Sequence, residues 1–255
     1  MKAIDAKHYL LQVKLLRDRV PSFDRYPFSL PAFKELDALT LHPKVTFIIG
    51  ENGSGKSTLL EAVAVALGIN PEGGSRNFAF TTRKSHSDLH ETLRLTRGIR
   101  RPRDIYFLRA ESFFNVATEI ERLDQGSGGR PLIDSYGGVS LHEQSHGESF
   151  FALFCNRFHA SGLYLLDEPE AALSPSRQLA FLCLLDKLVS KNAQFIISTH
   201  SPIILAYPEA KIFSLTESGV ESVVYQETEH YLLTRDFLND PEGTVKHLLR
   251  KSEES

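Results

Sequence analysis

The segment from residue 50 to residue 57 has the composition of a loop that holds phosphate groups. Its residues are Gly50, Glu51, Asn52, Gly53, Ser54, Gly55, Lys56 and Ser57. Glycines let backbone N–H groups turn inward around an anion, and the spacing matches the P-loop pattern. We expect Lys56 to meet the β and γ phosphates of ATP and Ser57 to bind Mg²⁺. Thr58 is a further candidate contact to the nucleotide.

Two acidic residues stand directly after a short apolar run. Residues 163–166 read as a strand, and Asp167 and Glu168 follow it. In open α/β sheets, ligands bind at the carboxyl ends of the strands. Together with the P-loop, this position predicts that Asp167 binds Mg²⁺ directly or through water and that Glu168 orients and deprotonates the attacking water. The alternative for Glu168 is an exposed carboxylate in a turn.

A histidine follows the next apolar run. The sequence from Ser198 to Pro202 contains Thr199 and His200, and residues 195–198 read as another strand. A lone histidine is usually a structural side chain. Here its position predicts that His200 stands beside the same phosphate, where a neutral imidazole can hydrogen-bond a phosphate oxygen or the attacking water.

The elements that must position these residues alternate between strand and helix. Residues 45–49 read as a buried strand before the P-loop and residues 57–67 as the helix after it. Helices are predicted near residues 148–159 and 176–190, and a helix broken near Pro241 near the C-terminus. Such alternation indicates a parallel sheet flanked by helices. Residues 9–20 show the alternation of a strand before this unit.

Taken in this order, the three motifs resemble those of ABC-class ATPases rather than those of GTPases or kinases. The resemblance implies a signature loop before residue 163, and residues 143–148 resemble one. Ser145 and Gly147 match the family's serine and second glycine, whereas His146 replaces the first glycine. Because the family places this loop against the γ-phosphate held by the other subunit, the resemblance implies a homodimer that closes on ATP. Without the other motifs, the alternative interpretation of this segment, a simple helix cap, would be preferred.

The same resemblance suggests roles for less typical positions. Residues 171–174 occupy the place of the D-loop, with Ser174 where an aspartate is usual. Glu111 stands where the family has the Q-loop glutamine, which makes it a candidate metal or water contact. Tyr26 or Phe28 lies upstream of the P-loop as the family's adenine-stacking aromatic does, and either could instead belong to the core.

The expected architecture is an α/β fold: a P-loop NTPase with an ABC-ATPase-like head, a mostly parallel sheet flanked by helices, and an antiparallel β portion at the N-terminus. We expect one domain over residues 1–255, with an N-terminal lobe (1–80), a variable middle lobe (81–140) and a third lobe (141–255). The span between Ser57 and Ser145 leaves no room for the long coiled coils of chromosome-maintenance ATPases. Residues 167–175 resemble soluble AAA-type predicted ATPases related to recombination and repair proteins.

Composition narrows the possible partners. A formal net charge of −3 and a pI near 6.4 lack the overall basic character of a dedicated DNA-binding protein. A local basic span is present, opposed by Asp88 and Glu91, and consists of Arg83, Lys84, Arg94, Arg97, Arg100, Arg101 and Arg103. It favours a polyanion partner, and a solvated arginine-rich face is the alternative. One function class left open is a soluble switch ATPase that acts on a nucleic acid or a protein partner. The other function class left open is the ATP-binding subunit of a membrane transporter.

The sequence also predicts where the chain works. We find neither a signal peptide nor an apolar run of about 20 residues, the length that crosses a bilayer. The two cysteines, Cys155 and Cys183, stand in apolar stretches that read as helices, which indicates buried, reduced thiols. A cytoplasmic ATPase using ATP and Mg²⁺ is the resulting expectation.

Overall fold

Two β-sheets organise the chain in the computed structural model, which describes residues 8–75, 87–126, 131–140 and 146–253. Within these ranges the strands are, in chain order, β1 (Leu10–Leu15), β2 (Ala38–Thr40), β3 (Val45–Gly50), β4 (Gly74–Ser75), β5 (Leu93–Arg97), β6 (Asp104–Arg109), β7 (Gly162–Asp167), β8 (Gln194–Ser198), β9 (Lys211–Thr216) and β10 (Gly219–Val223). The α-helices of the same ranges are α1 (Pro31–Lys34), α2 (Lys56–Ala66), α3 (Leu89–Thr92), α4 (Phe113–Gly126), α5 (His146–Asn156), α6 (Pro175–Val189), α7 (Pro202–Leu205), α8 (Glu229–Asn239) and α9 (Pro241–Glu253).

The larger sheet has seven strands within the described residues, in the order β10-β9-β3-β8-β7-β6-β4. Its five central strands, from β9 to β6, run parallel, whereas β10 and β4 pair antiparallel at the two edges. The predicted mostly parallel α/β sheet is therefore confirmed. Because β8 lies between β3 and β7, the P-loop, the histidine and the two carboxylates follow three neighbouring strands.

The central strands are mostly apolar, and helices cover both faces of the sheet around them. Every residue of β3, β7 and β8 is buried, as is usual for parallel strands between two layers of helices. Successive side chains enter opposite cores. Phe47 and Ile49 pack in one core with Phe154 and Phe181 of α5 and α6, whereas Ile48 packs in the other core with α2. The strand ends that carry the site residues are thus fixed from both sides.

A small antiparallel sheet consists of β1 with β2 on one side and β5 on the other. It confirms the antiparallel portion predicted near the N-terminus. The strand predicted for residues 9–20 is too long, however, because β1 ends at Leu15. Both partner strands begin at that point, β2 opposite Lys14 and β5 opposite Leu15. The chain then turns into a short 3-10 segment, Arg17–Arg19.

The two cysteines lie on helices, as predicted, but their side chains are exposed. Cys155 is on α5 and Cys183 is on α6. The prediction of buried thiols is therefore wrong. Both positions lie on the outward faces of helices whose inward faces bury Phe154 and Leu185.

The C-terminal part of the described chain consists of two helices. α8 ends at Asn239 and α9 begins at Pro241, so the predicted break near this proline is found. Proline suits the first turn of a helix because the N–H that it lacks would have no intrahelical partner there. Across the described ranges, no helix is both long enough and apolar enough to span a bilayer.

One buried amide joins the two sheets. Gln194, the first residue of β8, is completely buried. Its Oε1 accepts the N–H groups of Tyr9 and Leu10 at 2.9 and 3.0 Å, and its Nε2 donates to the carbonyls of Leu10 and His42 at 2.8 and 3.0 Å. Buried backbone groups need such partners, so Gln194 fixes the start of β1 against the larger sheet.

We expect Gln194→Leu to lower the free energy of unfolding by on the order of 3 kcal/mol, because it leaves several buried backbone groups without partners. Gln226→Leu makes the same change at an exposed position and should alter stability by less than about 0.5 kcal/mol. Denaturant unfolding of the two variants measures the difference. Parent-like stability of the Gln194 variant would contradict this role.

Candidate functional site

The P-loop connects β3 to α2, and two of its glycines have no simple replacement. Gly50, with φ 146°, ends β3, and a Cβ there would lie 2.5 Å from the carbonyl oxygen of Leu215. Gly55, with φ 102°, is the left-handed residue directly before α2. The loop between them is largely exposed, with Glu51, Asn52 and Gly53 at the surface. Positive φ values favour glycine, so the sequence pattern has a direct backbone cause.

Lys56 lies at the inner side of this loop. Its ammonium group is buried and donates to the carbonyl oxygens of Gly50 at 2.8 Å and Glu51 at 2.9 Å. Burial lowers the pKa of Lys56, and the nearby carboxylates of Glu168 and Asp167 oppose that shift. The amine therefore lies within electrostatic reach of the two carboxylates at the end of β7.

Asp167, at the end of β7, is a nearly buried carboxylate with three neighbours from three elements. The hydroxyl of Ser57 donates to its Oδ1 at 3.1 Å, the hydroxyl of Ser198 donates to the same oxygen, and Arg109 Nε lies 3.7 Å from Oδ2. Burial raises the pKa of Asp167, whereas the hydrogen bond from Ser198, the charge of Arg109 and the hydrogen bond from Ser57 lower it. A serine hydroxyl beside a carboxylate is an oxygen donor set that suits Mg²⁺.

Ser54 gives an independent indication that the loop is built for an anion. Its hydroxyl oxygen is buried and has no hydrogen-bond partner among the described residues. A buried polar atom of this kind needs an explanation. A phosphate oxygen held by the loop would supply the missing partner.

Glu168 follows Asp167 with a backbone conformation that is unusual for its residue type. Its φ of 51° and ψ of 54° lie in the left-handed region, which costs a non-glycine residue about 1–3 kcal/mol and is enriched at active sites. Its N–H bonds the carbonyl of Ser198 at 3.1 Å, which holds this conformation. The carboxylate is partly exposed, and its Oε1 lies 3.6 Å from Nε2 of His200.

His200 stands directly beyond β8, next to Glu168, as its position in the sequence predicts. Burial lowers the pKa of His200, and the charge of Lys56 lowers it further, so the imidazole is neutral at pH 7. Its backbone N–H donates to the carboxylate of Glu170, whose own pKa is raised by burial. Its Nδ1 lies 3.0 Å from Nε2 of His230. Neither Glu170 nor His230 was singled out from the sequence.

Glu111 has a different environment from the one its sequence position suggests. Its side chain is 81% exposed and pairs with Arg109 at 3.4 Å. Arg109 also pairs with Glu61 at 2.9 Å and is the residue that approaches Asp167. Arg109 approaches Asp167 because of the register between β6 and β7: Arg109, the last residue of β6, lies opposite Asp167 on β7. A metal contact by Glu111 remains a prediction, and Arg109 is a site residue that the motifs missed.

The signature-like segment lies only partly within the described residues. Ser145 falls outside them, whereas Gly147 is in the first turn of α5. A Cβ on Gly147 would lie 3.1 Å from the carbonyl oxygen of Ala172, and Arg177 donates to the Gly147 carbonyl at 3.0 Å. Ser174 caps α6, since its hydroxyl accepts the N–H of Arg177. The start of α5 is thus packed on the segment that follows Glu168.

A cavity of about 460 Å³ opens beside the start of α2. Its lining residues are Arg25, Tyr26, Thr58, Glu61, Ser87, Asp88 and Arg109. Tyr26 is 61% exposed and its hydroxyl lies 3.0 Å from that of Thr58, whereas Phe28 is buried in the core. Of the two aromatics left open by the sequence, only Tyr26 is available to a nucleoside.

Two family models match the sequence. A family model described as an AAA domain matches residues 30–133, and one described as an AAA ATPase domain matches residues 138–205. Among curated proteins, none matches the sequence.

Solved structures with a similar fold include an ABC transporter and an ATP-binding cassette from an ABC transporter. An inward-facing ABC transporter of the metal-chelate type matches with 20% identity and a TM-score of 0.54, over 89% of this chain and 88% of that one. A nucleotide-free ATP-binding cassette from an ABC transporter matches with 14% identity and a TM-score of 0.54, over 92% and 96%. An SMC head domain from Thermotoga maritima matches with 15% identity and a TM-score of 0.45, over 85% and 98%. The first two show a shared fold.

We expect Lys56→Ala to weaken ATP binding by at least about tenfold, because a hydrogen bond to a charged group contributes about 1.5–3 kcal/mol. Displacement of a fluorescent ATP analogue measures the affinity. Lys34→Ala, at an exposed position, is the matched control and should bind like the parent. Unchanged affinity of the Lys56 variant would contradict the assignment of the P-loop.

Proposed function

We propose that the chain is an ATP-driven switch of the ABC class, in which two copies close head to tail over ATP and hydrolysis reopens them. Two AAA-type family models match it, and it shares its fold with solved ABC transporter structures. The observation that carries the proposal is the convergence of Lys56, Asp167, Glu168 and His200 at the ends of three neighbouring strands. A charged amine, a buried carboxylate, a partly exposed carboxylate and a neutral imidazole are the groups that phosphoryl transfer to water requires.

The proposed roles follow from the positions of these groups. Lys56 and the loop N–H groups bind the phosphates, and Ser57 with Asp167 would hold Mg²⁺, which neutralises phosphate charge when it is bound. Glu168 takes the proton of the attacking water, because its carboxylate is partly open to solvent and lies 3.6 Å from His200. His200 donates a hydrogen bond to a γ-phosphate oxygen. Tyr26 lies beside the cavity proposed for the nucleoside.

The proposal of a head-to-tail dimer rests on the start of α5. The first N–H groups of a helix and its dipole favour an anion. Gly147, in that first turn, packs against Ala172 in the 3-10 segment Pro169–Ala172, which begins directly after Glu168. Through this contact, an anion bound at α5 of one copy would be linked to the carboxylate of the same copy. Ser145 is proposed to contact the γ-phosphate that the second copy holds.

We expect Glu168→Gln to hydrolyse ATP roughly 10² to 10⁴ times more slowly than the parent, the usual effect of losing a positioned base, while its ATP affinity is kept. Phosphate release and nucleotide binding measure the two quantities, and Glu221→Gln, at an exposed position of the edge strand β10, is the matched control. With Mg-ATP the slow variant should accumulate as a dimer in light scattering. Parent-like hydrolysis would contradict the role of Glu168, and a monomer at saturating Mg-ATP would contradict the switch.

A second observation supports a nucleic-acid partner for the switch. A cavity of about 280 Å³ lies at the amino ends of β6 and β7, away from the P-loop, and its cationic lining is Arg97, Arg100, Arg101, Arg103 and Arg157. Among the described residues that line it, Asp104 is the single acid, and Arg157 neutralises it through contacts of 2.6 and 3.0 Å. The other four guanidinium groups belong to exposed residues. Such a concentration of positive charge suits a phosphate backbone. Arg83 and Lys84 lie outside the described residues.

We expect the triple change of Arg100, Arg101 and Arg103 to Glu to abolish binding of a labelled oligonucleotide in the presence of ATP. The parent's affinity should fall steeply as salt rises, because phosphate contacts release counterions. A control variant with Arg19, Lys191 and Arg250 changed to Glu has the same net charge, altered at other exposed positions. It should lose much less affinity for the oligonucleotide. Salt-independent or absent binding by the parent, with an integral membrane protein recovered in a pull-down of Glu168→Gln, would favour the transporter role instead.

A further inference from the structure

A second histidine adjoins the one beside the γ-phosphate position. Nδ1 of His200 lies 3.0 Å from Nε2 of His230, and the two ring centroids are 5.2 Å apart. His230 is the second residue of α8, well beyond residue 205, where the family match ends. The contact therefore adds an element of this chain to the site that the matched segments do not contain.

The start of α8 is fixed against the loop that carries His200. The hydroxyl of Tyr225 donates to the carbonyl of Pro202 at 3.0 Å, and the ring of Tyr225 packs on that of Tyr231 at 4.8 Å between centroids. Thr228, which is buried, caps the helix by accepting the N–H of Tyr231. These contacts hold the start of α8 in place, and the position of α8 brings His230 against His200.

The chemistry of two imidazoles decides which nitrogen carries the hydrogen. In a neutral pair one ring must donate and the other must accept. Nε2 of His200 faces the carboxylate of Glu168 at 3.6 Å, and only a protonated Nε2 interacts favourably with that anion or with a phosphate oxygen. Nδ1 of His200 is then the acceptor, so His230 supplies the hydrogen from its own Nε2. Burial lowers the pKa of both rings, which keeps the pair neutral at pH 7.

We propose that His230 is a positioning residue for ATP hydrolysis: it donates to Nδ1 of His200 and thereby keeps the hydrogen of His200 on Nε2, where it reaches the γ-phosphate. This inference rests on the proposed role of His200 in hydrolysis. It makes α8 part of the ATPase site, and it predicts that a change at His230 acts on the chemical step rather than on nucleotide binding.

Three variants and one spectrum test the inference. In the parent, ¹⁵N correlation spectra of the imidazole rings should show the hydrogen of His200 on Nε2. His230→Leu, which keeps apolar volume but removes the donor, should lower kcat about tenfold, the effect of about 1.4 kcal/mol, with KM nearly unchanged. His230→Gln retains an N–H donor and should recover most of kcat. The change in His230→Leu should vanish when His200→Ala is already present, since the two residues act as one unit.

The outcomes separate this inference from the proposed function. If His200→Ala slows hydrolysis but His230→Leu has parent-like kcat, the positioning role of His230 is wrong while the role of His200 stands. A hydrogen on Nδ1 of His200 in the parent would also overturn it. If His200→Ala hydrolyses ATP like the parent, the role proposed for His200 fails, and the inference fails with it. Failure of His230→Gln to exceed His230→Leu would show that packing, and not the donor, matters at this position.

Discussion

The buried carboxylate of Asp167 is the constraint around which the site is arranged. An ionised group away from water is tolerated only where donors and cations surround it. Here the hydroxyls of Ser57 and Ser198 and the guanidinium of Arg109 do so. Each of them belongs to a different element, so satisfying one charge fixes the start of α2 and the ends of β6 and β8 relative to β7.

The order of strands in the larger sheet brings the reactive groups together around Asp167. With β8 between β3 and β7, the phosphate loop, the imidazole and the carboxylates share one edge of the sheet. The two cores hold the strands rigidly enough to maintain Glu168 in its left-handed conformation. Strain of this kind persists only where the surroundings determine it. The packing of Gly147 on the segment after Glu168 then links this edge to the surface proposed to meet the second copy.

Much of the fold and part of the site could be predicted from the sequence because the motifs stand directly at strand ends. The P-loop, Asp167 and His200 each follow a continuous apolar run, and the parallel sheet brings such ends together. Tyr26 could be told from Phe28 only by burial, which depends on how the chain packs.

Other residues could not be found from the sequence because tertiary structure alone brings them into place. Arg109 reaches Asp167 through the register between β6 and β7, and His230 reaches His200 through the packing of α8. The exposure of Cys155 and Cys183 depends on which face each helix buries. Apolar residues next to a cysteine in the sequence do not show whether the cysteine lies on the buried or the exposed face of its helix.

The most direct test of the account is ATP hydrolysis by a mixture of two inactive variants. Lys56→Ala lacks a working P-loop, and Ser145→Arg has its own P-loop but a blocked signature segment. In a head-to-tail dimer, the P-loop of the Ser145 variant would meet the intact signature segment of the Lys56 variant. The account predicts that each variant alone is inactive and that the mixture hydrolyses ATP. An inactive mixture, with both variants folded and the Ser145 variant still binding Mg-ATP, would contradict the shared site.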